Sequence, residues 1–543
     1  MTNMKTKSNA MHVAITKREY KGKTYTSVLL RQTYRENGKV KHRTLANLSA
    51  LPPEIIDLIR RALKGEKFMS ASDAFKITSS KAHGSVFAVL STLRQTGLDK
   101  VLGGDERWRS IVLGMIVARL VKPGSKRFTA AYWQETTLGS LLSLPESVSP
   151  NALYDAMDTL LKRQAAIEKK LAKKHLEDGA LVLYDLSSSY LEGSHCPLAE
   201  FGYSRDKKRG KKQFTYGLLT NKEGCPVAIE VFPGNRTDAK TLEDQITRLR
   251  EQYGFRRVVL VGDRGMITKT RIADLKEIGY DWITALRASD IQHLYEDGCF
   301  QLSLFDQQDI VEIEHPDYPD ERLGVCRNPL MTEERRRNRE QLLAITEANL
   351  EKIRQRVEAG RLVSADKIGL AVGKVIAKNK MEKHFILEIA DGVFNYARDE
   401  ERIQKEALLD GIYVVRASVP NEKMAMTEVI ETYKGLQEVE QAFRNMKSMQ
   451  LELRPVFHRL EDRVRAHVFL CMLAYYVQWH MMKKLRPLRE EDENEYGSFK
   501  LVMERLDSIQ QNTVEFAGQV FQQLTEPNEQ QRKILDALGV KLK

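Results

Sequence analysis

A chain of 543 residues with 42% hydrophobic side chains, 32 glycines and 15 prolines has ordinary globular proportions, which excludes collagen-like, coiled-coil and largely disordered architectures and allows about three or four folding units. Lys plus Arg number 86 against 74 Asp plus Glu, a formal charge of +12, so polyanions lead as partners, nucleic acid ahead of an anionic membrane surface. Five cysteines, odd in number and never spaced Cys-x-x-Cys, argue against a disulfide framework or a zinc ribbon, and an N-terminus without an apolar signal core points to the cytoplasm.

The first element is a basic hairpin plus helix over residues 1–68. Residues 24–34 and 39–48 flank Glu36-Asn37-Gly38, and Asn-Gly between extended runs is a strong hairpin signal. This hairpin carries Arg31, Arg35, Lys39, Lys41 and Arg43, a surface able to follow a phosphate backbone. Pro52-Pro53 precedes an amphipathic helix with Ile55, Ile56, Ile59 and Leu63 on one side, closed by Gly65. Residues 84–176 have helical period, broken at Gly97, Pro123-Gly124 and Pro145 to Pro150, and form, with the hairpin, the DNA-recognition half. Two apolar stretches, Ile111 to Val121 and Ala466 to Met482, are too short or too interrupted to span a bilayer and are expected as buried helices.

From about residue 177 to 290 the period changes. Ala180–Tyr184, Gln213–Thr220 and Pro226–Phe232 read as three strands. A helix with Leu242, Ile246 and Leu249 on one side follows, for which Asp238 is the expected N-cap. Val258–Val261 is a further strand, then a helix stopped by Gly279 and a strand at Trp282–Leu286. The order is βββαβαβ. Residues 291–405, with a charged helix from Thr332 to Arg361, read as an inserted subdomain. The core resumes over 406–488 with an extended run at Gly411–Val415 and one long helix from Met426 to about Lys447, and 489–543 forms a helical tail.

Two acids stand out in this order. Asp185 and Asp263 each follow a buried-type strand, and in open α/β sheets ligands bind at the carboxyl ends of strands. An Asp after a strand is ordinarily a turn former; the pair is what points to chemistry. In the long helix, Tyr433, Glu440 and Lys447 are spaced by seven, so that each lies about 20° around the axis from the next, with Arg444 about 40° from Glu440. Arg205–Lys212 adds a run of six cations, Arg205, Lys207, Lys208, Arg209, Lys211 and Lys212, as a candidate backbone-tracking segment beside the first acid. Tyr203 and Phe214 flank it, the latter more suited to packing than to stacking on bases.

The segments LVLYDLSSSY, EVFPGNRTD, VVLVGDRGM and ETYKGLQEVEQAFRNMK resemble, in this order, the DDE transposases of bacterial insertion sequences. They are most similar to the group whose third acid lies in a Tyr-x2-Arg-x3-Glu-x6-Lys signature. Tyr433, Glu440 and Lys447 match it, and the Arg position is Leu436, a departure. The resemblance implies an α/β fold with a ribonuclease-H-like catalytic core, an inserted subdomain before the Glu helix, and a metal site of Asp185, Asp263 and Glu440 with Lys447 and Tyr433 as further catalytic residues.

Three carboxylates on one site repel unless cations bridge them. Mg²⁺, for which Mn²⁺ can substitute, suits hard oxygen ligands and shared phosphates, and two such ions support in-line phosphodiester chemistry. The expected function is a transposase that binds terminal inverted repeats and catalyses two-metal strand cleavage and strand transfer. Double-stranded DNA, as element ends and target, is its partner, and a homodimer holds two ends. A metal-dependent nuclease that never joins, a DNA-binding regulator derived from a transposase, and a glycosidase using Asp185 and Asp263 are the alternatives. Retention of all three acids disfavours the regulator, and the basic N-terminus with only 8% aromatics disfavours the glycosidase.

Overall fold

The computed structural model describes residues 10–68 and 75–542, apart from positions 194, 207, 209, 307, 308, 449, 517 and 518. The chain divides into two compact units, Met1–Ser80 with Gln511–Leu524, and Lys81–Gln510 with Thr525–Lys543.

In the first unit, β1 (Met11–Tyr20), β2 (Lys23–Glu36) and β3 (Lys39–Asn47) form an antiparallel meander. The β2–β3 turn places Asn37 and Gly38 at φ 50° and 77°, the left-handed pair that matches strand twist in a two-residue loop. Lys21-Gly22 turns β1 into β2 the same way, at φ 52° and 72°. β1 has no clear signal in the sequence, because Lys17-Arg18-Glu19 masks its alternation, yet it pairs with β2 over ten residues. The helix Pro53–Leu63 ends before Gly65 at φ 94°.

A second sheet in this unit has the order β16-β15-β4, with β4 at Phe75–Ala82, β15 at Gln510–Phe516 and β16 at Gln519–Leu524. This β15–β16 hairpin corrects the expectation of a wholly helical tail. Alternation in Gln510–Phe516 is weak because only Val514 of that strand is buried.

The second unit opens with seven helices between Gly84 and His175. Glu106–Val121 is buried from Ile111 to Leu120, and Glu461–Lys484 buries nearly all of Val464 to Gln478. Both apolar stretches are therefore interior helices, and among the described residues no helix is long and apolar enough to cross a membrane. A fully buried carboxylate, Glu168, ties this helical layer to the sheet. It accepts the Ile229 N–H at 3.0 Å, a Gln164 N–H at 2.9 Å and the Arg248 guanidinium. A buried charge is tolerated only with such a complete set of partners.

The large mixed sheet has eight strands in the order β10-β11-β14-β9-β8-β5-β6-β7. The central strands are β5 (Leu181–Tyr190), β6 (Gln213–Asn221), β7 (Pro226–Pro233), β8 (Val259–Val261) and β9 (Asp281–Ala285), and β14 is Ile412–Ala417. β5, β8 and β9 run parallel, β6 pairs antiparallel with β5, and β7 pairs antiparallel with β6, so that it again follows the direction of β5. Two short strands, β10 (Ile310–Ile313) and β11 (Arg322–Arg327), extend this sheet from within the stretch read as an insertion.

The excursion is therefore narrower than 291–405. Arg327 pairs with Ile412, and the Asn328 N–H donates to Gly411 O at 2.9 Å, so residues 328–411 leave and rejoin one antiparallel ladder. They contain helices Pro329–Glu358, Ala365–Asn379 and Glu400–Leu408 and the hairpin β12 (Phe385–Ala390)–β13 (Val393–Arg398). Leu343, Leu350, Ile368, Val372, Phe385 and Phe394 give them a core of their own.

Beside the first acid, Tyr184 lies over Gly217, where an added Cβ would sit 2.1 Å from the Tyr184 hydroxyl. Gly217→Ala should destabilise the chain by about 1–3 kcal/mol through overpacking, seen as a lower denaturant midpoint at unchanged slope.

Candidate active site

The parallel register of β5 and β8 sets the first two acids. Leu181, Val182 and Leu183 pair with Val259, Leu260 and Val261, and carrying that offset two residues on brings Asp185 level with Asp263. Asp185 is not at a strand end, as its sequence context suggests. β5 runs on to Tyr190 because β6 pairs with it along its whole length, so Asp185 sits mid-strand, half-buried, where the shorter β8 has stopped. Asp263 is exposed in the loop after β8. Its Oδ1 accepts the N–H groups of Gly265 at 2.8 Å and Met266 at 3.0 Å, which orients the carboxylate.

Glu440 comes from the helix Leu436–Lys447. The expected continuous helix from Met426 is in fact two, Met426–Lys434 and Leu436–Lys447, broken at Gly435. A Cβ there would lie 2.9 Å from Thr432 O and 3.3 Å from Leu183 of β5, so glycine allows the break to pack on the acid-bearing strand. The amphipathic face Val439, Ala442, Phe443 and Met446 is buried, and Glu440 is turned outward with its side chain 61% exposed and Arg444 at 3.9 Å. Leu436, at the departure from the signature, is half-buried at the start of this helix.

Asp185, Asp263, Tyr433 and Glu440 all line one cavity of about 1460 Å³. Burial pushes the Asp185 carboxyl from its ordinary 3.8 up to about 7, with the charges of Asp263 and Glu440 adding to the rise and Arg205 opposing it. Burial likewise raises the Tyr433 phenol to about 12, with Asp263 the next cause. Tyr433 therefore keeps its proton at neutral pH and offers an O–H donor beside the acids. From the 328–411 excursion, Arg335, Arg339, Lys383, Arg402 and Lys405 line the same cavity, together with Glu406 and Asp410.

The remaining candidate residues are placed elsewhere. Lys447 lies in a buried ion pair, its Nζ 2.9 Å from Asp206, which Arg454 also reaches at 3.1 Å. Arg205 bonds Asp238 at 2.7 Å, and Lys211 bonds Glu192 at 2.6 Å. Lys212 sits over the Phe201 ring, Lys208 is exposed, and Lys207 and Arg209 lie outside the described residues. Tyr203 is 82% exposed and Phe214 is fully buried. In the first unit, the register Glu36↔Lys39, Tyr34↔Lys41 and Gln32↔Arg43 puts Lys39, Lys41 and Arg43 on one face of the meander, and Arg31 and Arg35 on the other.

Three neighbours of the acids carry no clear signal in the sequence. Asp238 does not cap its helix, for which Thr237 is the N-cap. Instead a Cβ on Gly265 would lie 3.2 Å from Asp263 and 3.9 Å from Asp238, so Gly265 keeps the loop tight against both carboxylates. Arg264 lines the acid cavity, and its one sequence signal is its position directly after Asp263.

A family model described as a transposase DDE domain matches residues 182–477, which contain all three acids and the strands and helix that hold them. This chain belongs to the DDE transposase family. The N-terminal domain of IS1634 family transposases matches residues 13–74, so the transposase is of the insertion-sequence type. The solved structure of a piggyBac transposase synaptic complex with hairpin DNA is similar over 78% of each chain, at 8% identity and a TM-score of 0.34. No curated protein matches the transposase.

The raised Asp185 pKa makes its ionised form a cost to the folded state. That cost is absent below about pH 4, grows as the unfolded chain ionises first, and is complete above about pH 7. Asp185→Asn should therefore raise the melting temperature of the metal-free transposase at pH 8 by a few degrees and leave it unchanged near pH 4. Thermal melts across this range check it, and an equal gain at both ends would show that the charge is not responsible.

Proposed function

We propose that the transposase binds the terminal inverted repeats of its element through residues 1–180 and cleaves and joins DNA at Asp185, Asp263 and Glu440, on a ribonuclease-H-like core. The observation that carries this reading is the convergence of three carboxylates from β5, the β8 loop and the Glu440 helix on one cavity that Arg264, Arg335, Lys383 and Arg402 also line. A DNA strand entering it would set a phosphate at the acids and its flanking phosphates near Arg264, Arg335, Lys383 and Arg402.

The acids fit divalent cations. All donors are hard carboxylate oxygens, and the charges of Asp263 and Glu440 add to the rise that burial gives the Asp185 carboxyl, a repulsion that Mg²⁺ would relieve. Two Mg²⁺ ions held by the three acids would supply Lewis-acid stabilisation of charge at the reacting phosphate. The chain's own groups do the rest. The Gly265 and Met266 N–H groups hold Asp263 in one orientation, Tyr433 offers its O–H beside the acids, and Lys447 and Arg454 hold Asp206, next to Arg205, whose charge acts on Asp185.

In the first step water attacks phosphorus at the element end, a new P–O bond forms, and the P–O bond to the 3′ oxygen breaks, freeing a 3′-hydroxyl. In the second that hydroxyl attacks a target phosphodiester, and the target's own 3′ oxygen leaves. Processing two ends together calls for at least two copies of the chain, hence a homodimer in the active complex.

Incubation with its own flanking DNA and Mg²⁺, scored for nicked, hairpinned and joined products, tests the reading; nicking that never yields joined product would make the protein a nuclease instead. Asp263→Asn should abolish cleavage in that assay while leaving affinity for end DNA within a few-fold, and parallel loss of both would count against separate recognition and catalysis. Replacing Lys39, Lys41 and Arg43 together by Ala should weaken end binding and flatten its dependence on log salt by about one unit for each phosphate no longer neutralised. An unchanged slope would remove this face from the DNA interface.

A further inference from the structure

Away from the acid cavity, the fold gathers three side chains that are 50 and 255 residues apart in the sequence. His175 ends the helix Gln164–His175, Cys225 follows the β6–β7 turn, and His480 lies in the last turns of the helix Glu461–Lys484. One ligand atom from each lies within 4.8 Å of the other two, the only such group of three among the described residues. We propose that His175, Cys225 and His480 bind one transition-metal ion of the zinc class, through two imidazole nitrogens and a thiolate.

The chemistry of the donors selects this class. Zn²⁺ takes His nitrogen at about 2.0–2.1 Å and Cys sulfur at about 2.3 Å, so its tetrahedral ligands stand about 3.3–3.8 Å apart. From separations of at most 4.8 Å, a closure of no more than about 1.5 Å, within the reach of imidazole rotation, gives that geometry. Carboxylate-loving Mg²⁺ has no oxygen set here. The thiol is fully buried, while both histidines are half-buried.

The site is also prepared in its surroundings. His480 Nε2 is buried without a hydrogen-bond partner, a polar atom in want of a ligand. The Tyr476 hydroxyl bonds His175 Nε2 at 2.9 Å and fixes that ring, as outer partners of metal-ligating histidines do. Asn221 Oδ1 accepts the Cys225 N–H at 2.9 Å and the Glu223 N–H at 3.0 Å, which sets the turn that presents the sulfur.

Burial holds His175 down to about 4 and His480 to about 3, so both are neutral at pH 7, the ligating form. Burial also pushes the Cys225 thiol well up, which rules it out as a nucleophile and means that metal binding must release its proton. The charged groups facing the cluster are Lys174, Lys483, Lys484 and Glu223; Glu223 already pairs Lys483 at 2.6 Å.

A bound ion would staple the end of one helix, the β6–β7 turn and a second helix. Gly224 of that turn packs on the Glu440 helix, where a Cβ would meet Glu438 at 2.8 Å, so the staple would also steady the seat of the third acid.

The test uses the full-length transposase, stripped with chelator, dialysed and titrated with Co²⁺ and then Zn²⁺. One equivalent of Co²⁺ should give the strong visible bands of tetrahedral coordination and a near-ultraviolet thiolate charge-transfer band, both lost when Zn²⁺ displaces it. Saturating Zn²⁺ should raise the melting temperature. Cys225→Ser and His480→Gln should each lose the charge-transfer band, and an Asp185→Asn/Asp263→Asn variant should keep it, since carboxylates give none. Absence of the band in folded wild-type protein, or its survival in Cys225→Ser, overturns the proposal; if Cys225→Ser does not fold, survival in His480→Gln does so.

Discussion

The parallel pairing of β5 with β8 is the constraint from which the acid cavity follows. Leu183 and Val261 are the last registered pair, and both strands are buried on both faces, so their register is held by packing on either side. A slip by one residue would turn the wrong side chains toward the cavity. Two like charges level with each other repel, which adds to the rise that burial gives the Asp185 carboxyl. The core around Val182, Leu183, Leu260 and Val261, all at or near zero exposure, holds them there. Electrostatic strain at the site is thus borne by hydrophobic packing beneath it.

The third acid depends on a different device. A straight helix from Met426 to Lys447 would carry Tyr433 and Glu440 on one stripe, but its start and end pack against different parts of the sheet. The break at Gly435 lets Met426, Val429 and Ile430 bury on one side and Val439, Phe443 and Met446 on another. Glu440 and Tyr433 reach the same cavity from two helices, so their relative placement is set by the seat of Gly435 on Leu183 and not by helical period alone.

The excursion 328–411 shows how a large addition leaves a catalytic sheet intact. It departs from β11 and returns to β14 at paired residues, so the ladder sees only a hairpin with a very long tip. It has a hydrophobic core of its own, and its cations line the acid cavity. Many of these cations are already paired, Arg339 with Asp410 and Lys383 with Glu406. The net positive charge read from composition is therefore partly spent within the protein, as it also is along 205–212, where Arg205 and Lys211 hold internal acids.

Much of this is legible in the chain itself, because local patterns carry it. Strong alternation or a continuous apolar run marks β5 to β9, Asn-Gly marks the β2–β3 turn, and ordered motifs mark the family. What stays hidden is whatever depends on partners distant in sequence. β10, β11 and the β15–β16 hairpin are too short or too exposed to show a period, and acquire their pairing from neighbours. Whether Lys447 faces a phosphate or Asp206, whether Asp238 caps a helix or borders Asp263, and whether five hairpin cations share one face are decided by register and packing. The same holds for His175, Cys225 and His480: with no spacing to announce them, only the docking of two helices on one turn brings their ligand atoms together. Sequence alone determined which residue types were available and where strands and helices would start. Tertiary structure decided which of them meet, since contact between distant segments is a property of the buried core and not of any local run.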